Sequence, residues 1–163
     1  MKKLTVNNLS FSYRGVNILK NISFELLPGL NVLLGANGSG KTSLIKLLVT
    51  IYRPDTGELN LSGVSYKNDL EIKKNIAYVP QVFNGYKKLK VKEYLGFMNS
   101  FNRDKKVYTT ENEIFGIDSF LNKKLKELSE GMKKKVLIYG AFLRRAGIII
   151  LDEPTSGLDK ESR

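Results

Sequence analysis

Residues 35–42 read Gly-Ala-Asn-Gly-Ser-Gly-Lys-Thr and match the pattern G-x-x-x-x-G-K-T throughout. Apolar residues precede this stretch at 32–34, and apolar residues with helical spacing follow it from Ser43 to about Ile51. Glycines let consecutive backbone N–H groups turn inward around phosphate oxygens, and the N-terminus of the following helix adds a partial positive charge. The stretch therefore predicts a strand, a glycine loop and a helix that bind a nucleoside triphosphate.

The side chains of this loop fit the same chemistry. We expect the Lys41 ammonium to contact the β- and γ-phosphates and the Thr42 hydroxyl to coordinate Mg²⁺. A flexible glycine-rich turn is the alternative interpretation, and the strand and helix patterns on either side disfavour it. The residues predicted to bind the nucleotide are Gly35, Asn37, Gly38, Ser39, Gly40, Lys41, Thr42 and Ser43.

Composition limits the classes of protein to which the chain can belong. Its 163 residues suffice for one domain with a buried core. The sequence has no cysteine, which rules out disulfides and thiolate metal sites, and no histidine, so a general base must be a carboxylate or a rarer group. No apolar stretch is long enough to span a bilayer, and the N-terminus lacks the apolar core of a signal peptide. We expect a soluble chain in a reducing cytosol.

The chain is strongly basic, with 27 Lys and Arg against 16 Asp and Glu, for a net charge of +11. Its lysines form short clusters that are not interleaved with regularly spaced aromatic residues. A base-stacking platform for nucleic acid would have such aromatics. The charge pattern therefore favours a solvated basic face or an anionic membrane surface over a nucleic-acid partner.

Short strands dominate the first third of the chain, and a lysine-rich stretch at 82–127 has helical spacing at Val91–Phe101 and Thr110–Phe115. A further helix is predicted to open at Ser129 and to end before Gly147. The predicted strands are Leu4–Val6, Leu9–Tyr13, Ile22–Leu27, Asn31–Leu34, Glu58–Leu61, Ile76–Val79 and Ile148–Leu151.

Two carboxylates, Asp152 and Glu153, directly follow the apolar run Ile148–Leu151, which is typical of a strand buried in a parallel sheet. Ligands of open α/β sheets bind beyond the carboxyl ends of the strands, so we expect both side chains to face the phosphate loop. One would hold Mg²⁺ and the other would activate the attacking water. An ordinary acidic turn is the alternative, and the phosphate loop disfavours it.

The order and spacing of these motifs resemble the nucleotide-binding domain of ABC transporters over essentially the whole chain. The loop at 35–42 is similar to the family's Walker A motif, and Ile148–Glu153 looks like its Walker B strand with the catalytic glutamate. Leu128–Met132 resembles the LSGGQ signature. Tyr78–Gln81 looks like the approach to the Q-loop, and Ser156–Asp159 looks like the D-loop.

The resemblance implies an α/β P-loop NTPase with a parallel core sheet, an N-terminal antiparallel β subdomain and a helical insert. It implies a single nucleotide-binding domain over 1–163, with 1–81 and 128–163 as the ATPase core and 82–127 as the helical subdomain. Tyr13 stands where the family places the aromatic ring that stacks on adenine. An aromatic residue with only a structural role in a strand fits that position too.

The activity that the resemblance implies is ATP hydrolysis by a peripheral subunit on the cytoplasmic face of the cell membrane, coupled to separate transmembrane permease subunits. ATP and Mg²⁺ are the implied cofactors. Thr42, Gln81 and Asp152 would serve the metal, and Glu153 would be the general base, with Gln81 beside the attacking water. Ser129 and Gly131 of one subunit would close over ATP held by another, so a homodimer or heterodimer is implied.

Two departures from the family pattern are visible. The signature reads LSEGM, with Glu130 and Met132 altered, and resembles the signatures of exporter-type ATPases. The family's switch histidine, which lies downstream of the D-loop, is absent, and the sequence ends at Arg163. We interpret this as C-terminal truncation and expect these 163 residues alone to bind nucleotide weakly and to hydrolyse ATP negligibly.

Two other classes stay open at this point. A soluble ABC-type ATPase acting on ribosomes or nucleic acid would suit the charge of +11. A nucleotide-binding module that does not hydrolyse ATP would suit the missing histidine. The transported substrate is recognised by the membrane partner in this family and is not encoded in this chain.

Overall fold

The computed structural model describes residues 3–102 and 115–155. The chain forms two compact units, residues 1–76 and 77–163. The finer division into a core of 1–81 and 128–163 with a helical insert at 82–127 stays a prediction. No helix in the described ranges is long and apolar enough to cross a membrane.

The first unit is built on a four-stranded antiparallel sheet with the strand order β2-β1-β3-β4. The strands are β1 (Leu4–Tyr13), β2 (Val16–Leu26), β3 (Thr56–Leu61) and β4 (Val64–Ser65). The hairpin between β1 and β2 turns through Arg14 and Gly15, which both have positive φ, as a two-residue loop matched to the sheet twist requires.

A bulge explains why β1 reads as two strands in the sequence. Leu4 and Val6 face the core, and after a register shift Leu9 and Phe11 face it instead. Asn8 lies at the irregularity with a φ of 50°. The extra residue moves the buried set from even to odd positions, so the predicted strands Leu4–Val6 and Leu9–Tyr13 are one bulged strand.

Helix α1 (Lys41–Leu48) follows the phosphate loop and buries the apolar side chains Leu44, Ile45, Leu47 and Leu48. It ends three residues before Ile51, where the prediction placed its end. A second helix, α2 (Asp69–Asn75), is capped by the Asn68 side chain, which accepts a hydrogen bond from the Glu71 N–H.

The predicted strand Asn31–Leu34 is wrong. These residues are irregular, and Val32 and Leu34 are 68% and 83% exposed. A strand forms only where its N–H and C=O groups have a ladder partner, and none of the described strands pairs with this segment. The Asn31 side-chain amide instead donates to the Leu27 and Gly29 carbonyls, at 2.8 and 3.2 Å, and closes the turn before the segment.

The second unit contains a two-stranded parallel sheet of β5 (Ile76–Val79) and β6 (Ile148–Leu151). Helix α3 (Val91–Ser100) packs against helix α4 (Glu130–Leu143), and both contribute to one apolar core. Short 3₁₀ turns lie at Asp118–Phe120 and Leu125–Glu127. The predicted helix at Val91–Phe101 is thus confirmed to within one residue, whereas Thr110–Phe115 lies, apart from Phe115, outside the described residues.

Helices α3 and α4 approach each other closely at Gly140. A Cβ at this position would lie 2.9 Å from Cε1 of the buried Tyr94 ring and 3.2 Å from Cγ of Met98. Gly96 on α3 is the matched control, because a Cβ there would meet nothing within 4 Å.

We predict different effects of the same substitution at these two glycines. Gly140→Ala should lower the free energy of unfolding by about 1–2 kcal/mol, since overpacking outweighs the gain in helix propensity. Gly96→Ala should leave it unchanged or raise it by up to about 1 kcal/mol. Urea denaturation of both variants measures this, and equal stability of the two would contradict the close packing.

Candidate active site

The phosphate loop adopts a conformation that depends on its glycines. Gly38 and Gly40 have φ values of 81° and 90°, in the left-handed region. Gly40 caps helix α1, and its carbonyl accepts the Leu44 N–H at 2.8 Å. A Cβ on Gly40 would lie 2.9 Å from Cδ2 of Leu19 on β2, so both backbone and space require glycine there.

The loop concentrates hydrogen-bond donors. The Lys41 ammonium donates to the carbonyls of Gly35 and Ala36, at 2.7 and 2.8 Å, and so folds back over the loop. The first N–H groups of helix α1 have no partner within the helix, and its first turn contains no acidic residue. A cation beside unpaired N–H groups at a helix N-terminus forms an anion-binding site.

The structure places every predicted residue of the loop in this one segment. Gly35 lies close to the Ser39 side chain: a Cβ on Gly35 would be 2.8 Å from Ser39 Oγ. The Ser39 N–H donates to the Ala36 carbonyl at 3.2 Å. The exposed residues are Gly35, Asn37, Gly38 and Ser39, whereas Gly40, Lys41, Thr42 and Ser43 are half-buried at the helix start.

In the second unit, the pairing of β5 with β6 brings the residues after both strands to one edge. The Asp152 N–H donates to the Val79 carbonyl at 3.0 Å. The Asp152 side chain is 4% exposed, and its Oδ2 accepts a hydrogen bond from the Tyr78 hydroxyl at 3.4 Å. Burial, with the charge of Asp152 and this hydrogen bond, raises the pKa of Tyr78 to about 12.

Glu153 and Gln81 meet at the same edge. The Gln81 side-chain amide donates to Glu153 Oε2 at 2.6 Å, although the two residues are far apart in sequence. Glu153 has a φ of 48°, in the left-handed region that few glutamates adopt. Both side chains are exposed, so solvent reaches the carboxylate that the sequence predicts to be the general base.

Helix α4 begins at the signature, as predicted. The Ser129 hydroxyl accepts a hydrogen bond from the Met132 N–H at 3.2 Å and caps the helix. Glu130, the altered signature residue, forms an ion pair with Lys133 at 2.6 Å. Gly131 lies in the first turn. The predicted D-loop, Ser156–Asp159, lies outside the described residues.

Comparison with known families agrees with these arrangements. The sequence model of the family described as ABC transporter matches residues 19–156, which include the phosphate loop, the signature and the carboxylates after β6. The chain belongs to the ABC transporter family. It contains an ABC nucleotide-binding domain, and the predicted mixed α/β P-loop fold is confirmed.

Relatives of this ABC domain include import and export proteins. The chain is 36% identical to the molybdate/tungstate import ATP-binding protein of Methanocaldococcus jannaschii, over 96% of this chain and 54% of that protein. It is 34% identical to the SkfA peptide export ATP-binding protein of Bacillus subtilis, over 100% of this chain and 70% of that protein. The chain thus spans between half and about two thirds of the length of these relatives.

Solved structures show the same fold. A structure titled as the ATP binding subunit of an ABC transporter superposes with a TM-score of 0.78 at 28% identity, covering 98% of this chain and 69% of that one. A bacterial Atm1-family ABC exporter with ATP bound superposes with a TM-score of 0.81 at 24% identity, over 98% of this chain and 30% of that one, which bears on the fold alone.

Tyr13 ends β1 of the ABC domain and is 44% exposed. Its ring lies 5.7 Å from the Tyr52 ring, and the Arg14 guanidinium lies 5.5 Å from the Tyr13 centroid. The Lys46 ammonium on α1 lies 5.3 Å from the Tyr52 centroid, which connects this aromatic pair to the helix that follows the phosphate loop. Stacking of Tyr13 on adenine stays a prediction.

Sequence reasoning missed Lys134, because it interpreted the lysine clusters, of which 133–135 is one, as a solvated basic face or a surface for an anionic membrane. Lys134 is 5% exposed and donates to the carbonyls of Pro80 and Gln81, at 3.3 and 3.4 Å. The sequence did contain a signal of this burial. Lys134 lies three residues before Leu137 and seven before Ala141, and this spacing puts it on the same helix face as these two buried residues. Burial lowers the pKa of Lys134, and the Asp152, Glu153 and Glu130 carboxylates oppose this.

Each unit offers oxygen groups whose chemistry suits Mg²⁺. The first unit has the Thr42 hydroxyl, and the second has the Asp152 carboxylate and the Gln81 amide oxygen, which are ligand types of hard cations. Within the ranges that the structure describes, no group of three or more carboxylates, histidines or cysteines could hold a metal by itself. These residue types fit Mg²⁺, which is commonly held by one or two protein groups together with phosphates and water.

The raised pKa of Tyr78 gives a test of the Asp152 environment. Asp152→Asn removes a charge and weakens a hydrogen bond that favour the neutral phenol, so the pKa should fall from about 12 but stay above 10 because burial remains. Tyr78 is neutral below pH 10 whether the chain is folded or unfolded. Its raised pKa therefore costs stability only as the pH rises from about 10 toward 12.

Tyrosine-selective ¹³C NMR titration measures this pKa. Tyr94 is the internal control, because burial and Tyr86 raise its pKa and Asp152 has no part in it. An unchanged Tyr78 titration in Asp152→Asn, or an equal shift of Tyr94, would show that the hydrogen bond at the strand edge is absent.

Proposed function

We propose that this chain binds and hydrolyses ATP as the ATP-binding subunit of an ABC transporter and powers transport through separate transmembrane permease subunits. The observation that carries the proposal is the phosphate loop: a left-handed glycine cap places the Lys41 ammonium beside N–H groups of α1 that have no partner within the helix. An anion as highly charged as a triphosphate offers more acceptors to these donors than a single carboxylate would.

On nucleotide binding, Lys41 exchanges its contacts with the Gly35 and Ala36 carbonyls for the β- and γ-phosphate oxygens. The loop N–H groups hold the remaining phosphate oxygens, and Tyr13 stacks on the adenine. When bound, Mg²⁺ neutralises phosphate charge, and Thr42, Gln81 and Asp152 are the residues that would hold it.

Hydrolysis requires a base for the attacking water. The Glu153 carboxylate takes a proton from this water. The water oxygen bonds to the γ-phosphorus, and the bond between the γ-phosphorus and the oxygen that bridges the β- and γ-phosphates breaks. Gln81 orients the base, because its amide holds Glu153 Oε2 at 2.6 Å. Asp152, buried and hydrogen-bonded to Tyr78, stays fixed at the strand edge.

The assembly we propose contains two nucleotide-binding domains, identical or different, and permease subunits, with this chain on the cytoplasmic face of the membrane. Ser129 and Gly131, at the N-terminus of α4, would contact the γ-phosphate of ATP held by the other domain. Named relatives of this chain include a molybdate/tungstate import and a peptide export ATP-binding protein, so the exporter-like reading of the signature stays a prediction.

ATP affinity should depend on Lys41. Lys41→Ala removes a charge-assisted hydrogen bond worth about 1.5–3 kcal/mol, so Mg-ATP should bind about ten- to a hundredfold more weakly. Lys67→Ala, at an exposed position between β4 and α2, is the matched control and should bind as the unmodified chain does. Isothermal titration calorimetry measures the Mg-ATP affinity of each variant, and equal affinity in both variants would contradict the assignment of the loop as the phosphate site.

Turnover should depend on Glu153 while binding does not. In the assembled transporter, Glu153→Gln keeps the side-chain shape but loses the base, so ATP hydrolysis should fall by about a hundredfold or more with ATP affinity retained. It should also accumulate an ATP-bound dimer. Glu58→Gln, an exposed glutamate on β3, should leave turnover unchanged. Near-normal phosphate release by Glu153→Gln would remove this residue from the mechanism.

A further inference from the structure

Lys134 is a buried cation that the mechanism above does not use. It lies in the second turn of α4, shortly after the Ser129 cap, and is only 5% exposed. Its ammonium donates to two backbone carbonyls, Pro80 O at 3.3 Å and Gln81 O at 3.4 Å. These carbonyls belong to the turn that follows β5 and that carries the Gln81 side chain.

An ammonium group is costly to bury unless it has partners that replace water. Lys134 finds these partners in the two carbonyls and in the charges of Asp152 and Glu153. The neighbouring cations are placed differently: Lys133 pairs with Glu130 at 2.6 Å, and Lys135 is half-exposed. In the part of the chain that the structure describes, Lys134 is the residue whose side chain donates hydrogen bonds to the Pro80 and Gln81 carbonyls.

The contacts form a continuous connection. Helix α4 holds Lys134, Lys134 holds the backbone of Gln81, and the Gln81 amide holds Glu153 Oε2 at 2.6 Å. Because the turn is held at its carbonyls, the Cα–Cβ direction of Gln81 is held as well, and the contact with Glu153 Oε2 holds the end of the side chain. A change at the N-terminus of α4, where the signature lies, would thus reach the Glu153 carboxylate through two side chains, those of Lys134 and Gln81.

We propose that Lys134 is a positioning residue for ATP hydrolysis, which fixes the turn at Pro80 and Gln81 so that Gln81 orients the Glu153 carboxylate. The catalytic part of this proposal rests on the function proposed above, in which Glu153 activates water. The positional part concerns only the contacts of Gln81 and can be tested without any turnover.

Gln81 is the only glutamine of the sequence, which makes the test direct. Cell-free synthesis with ¹⁵N-labelled glutamine gives a single side-chain NH₂ signal in the full chain. In the unmodified chain, this signal should be shifted and slow to exchange because the amide is bound to Glu153. Lys134→Met, which keeps the length but loses the charge and the donors, should move the signal to the position of a free, solvated amide.

Two further variants separate positioning from packing. Lys134→Arg keeps a cation and donors and should retain the bound signal. Lys135→Met makes the same substitution at the next residue of α4 and should leave the signal unchanged. If Lys134→Met does not fold, Lys134→Leu takes its place, because its shorter, neutral side chain should lose the contact in the same way and adds no second glutamine signal.

Steady-state kinetics of the assembled transporter test the catalytic part. Lys134→Met should lower kcat about ten- to a hundredfold, since misplacement of a catalytic group by about 1 Å has effects of this size, and should leave the KM for ATP unchanged because the phosphate loop is intact. Lys134→Arg should restore most of the rate.

An unchanged Gln81 signal in Lys134→Met would overturn the proposal, even if kcat fell. A shifted signal with unchanged kcat would overturn the catalytic role. If the unmodified protein hydrolyses no ATP while the signal moves as expected, the function proposed above fails and the positional role of Lys134 is supported.

Discussion

Residue 40 must have no side chain, and much of the first unit is organised around this requirement. Gly40 has a φ of 90°, and a Cβ there would lie 2.9 Å from Leu19 on β2. Glycine lets helix α1 begin directly against the sheet, with its first N–H groups without a partner inside the helix and with Lys41 folded over the loop. Phosphate binding thus follows from backbone geometry, to which the side chains add charge.

In the second unit, the pairing of two strands positions the candidate site residues. Because β5 and β6 are parallel neighbours, the residues that follow them reach one edge, and the Asp152 N–H closes on the Val79 carbonyl. Asp152 is buried there with Tyr78, while Glu153 is exposed with Gln81. Two adjacent carboxylates therefore have different surroundings, which fits the different roles proposed for them above.

The sequence predicted features whose cause is local. The glycine loop, the Ser129 cap and the apolar strand before Asp152 all have chemical signals within a few residues, and the structure has them at the expected places. Features that depend on distant partners were missed or misplaced. Residues 31–34 look like a strand but have no ladder partner among the described strands, and Lys134 looks solvated until β5 and its turn are packed against α4. The helical subdomain stays a prediction, and so does the D-loop, because Ser156–Asp159 lie outside the described residues.

Phosphate binding by the loop amides is tested most directly by amide hydrogen exchange across residues 38–44, with Mg-ATP and with adenosine in parallel. The loop geometry predicts that Mg-ATP slows exchange at these amides and that adenosine, which has no phosphate, does not. Equal protection by both compounds, or no protection by Mg-ATP at saturating concentration, would contradict a phosphate site built from the backbone of Gly35–Thr42.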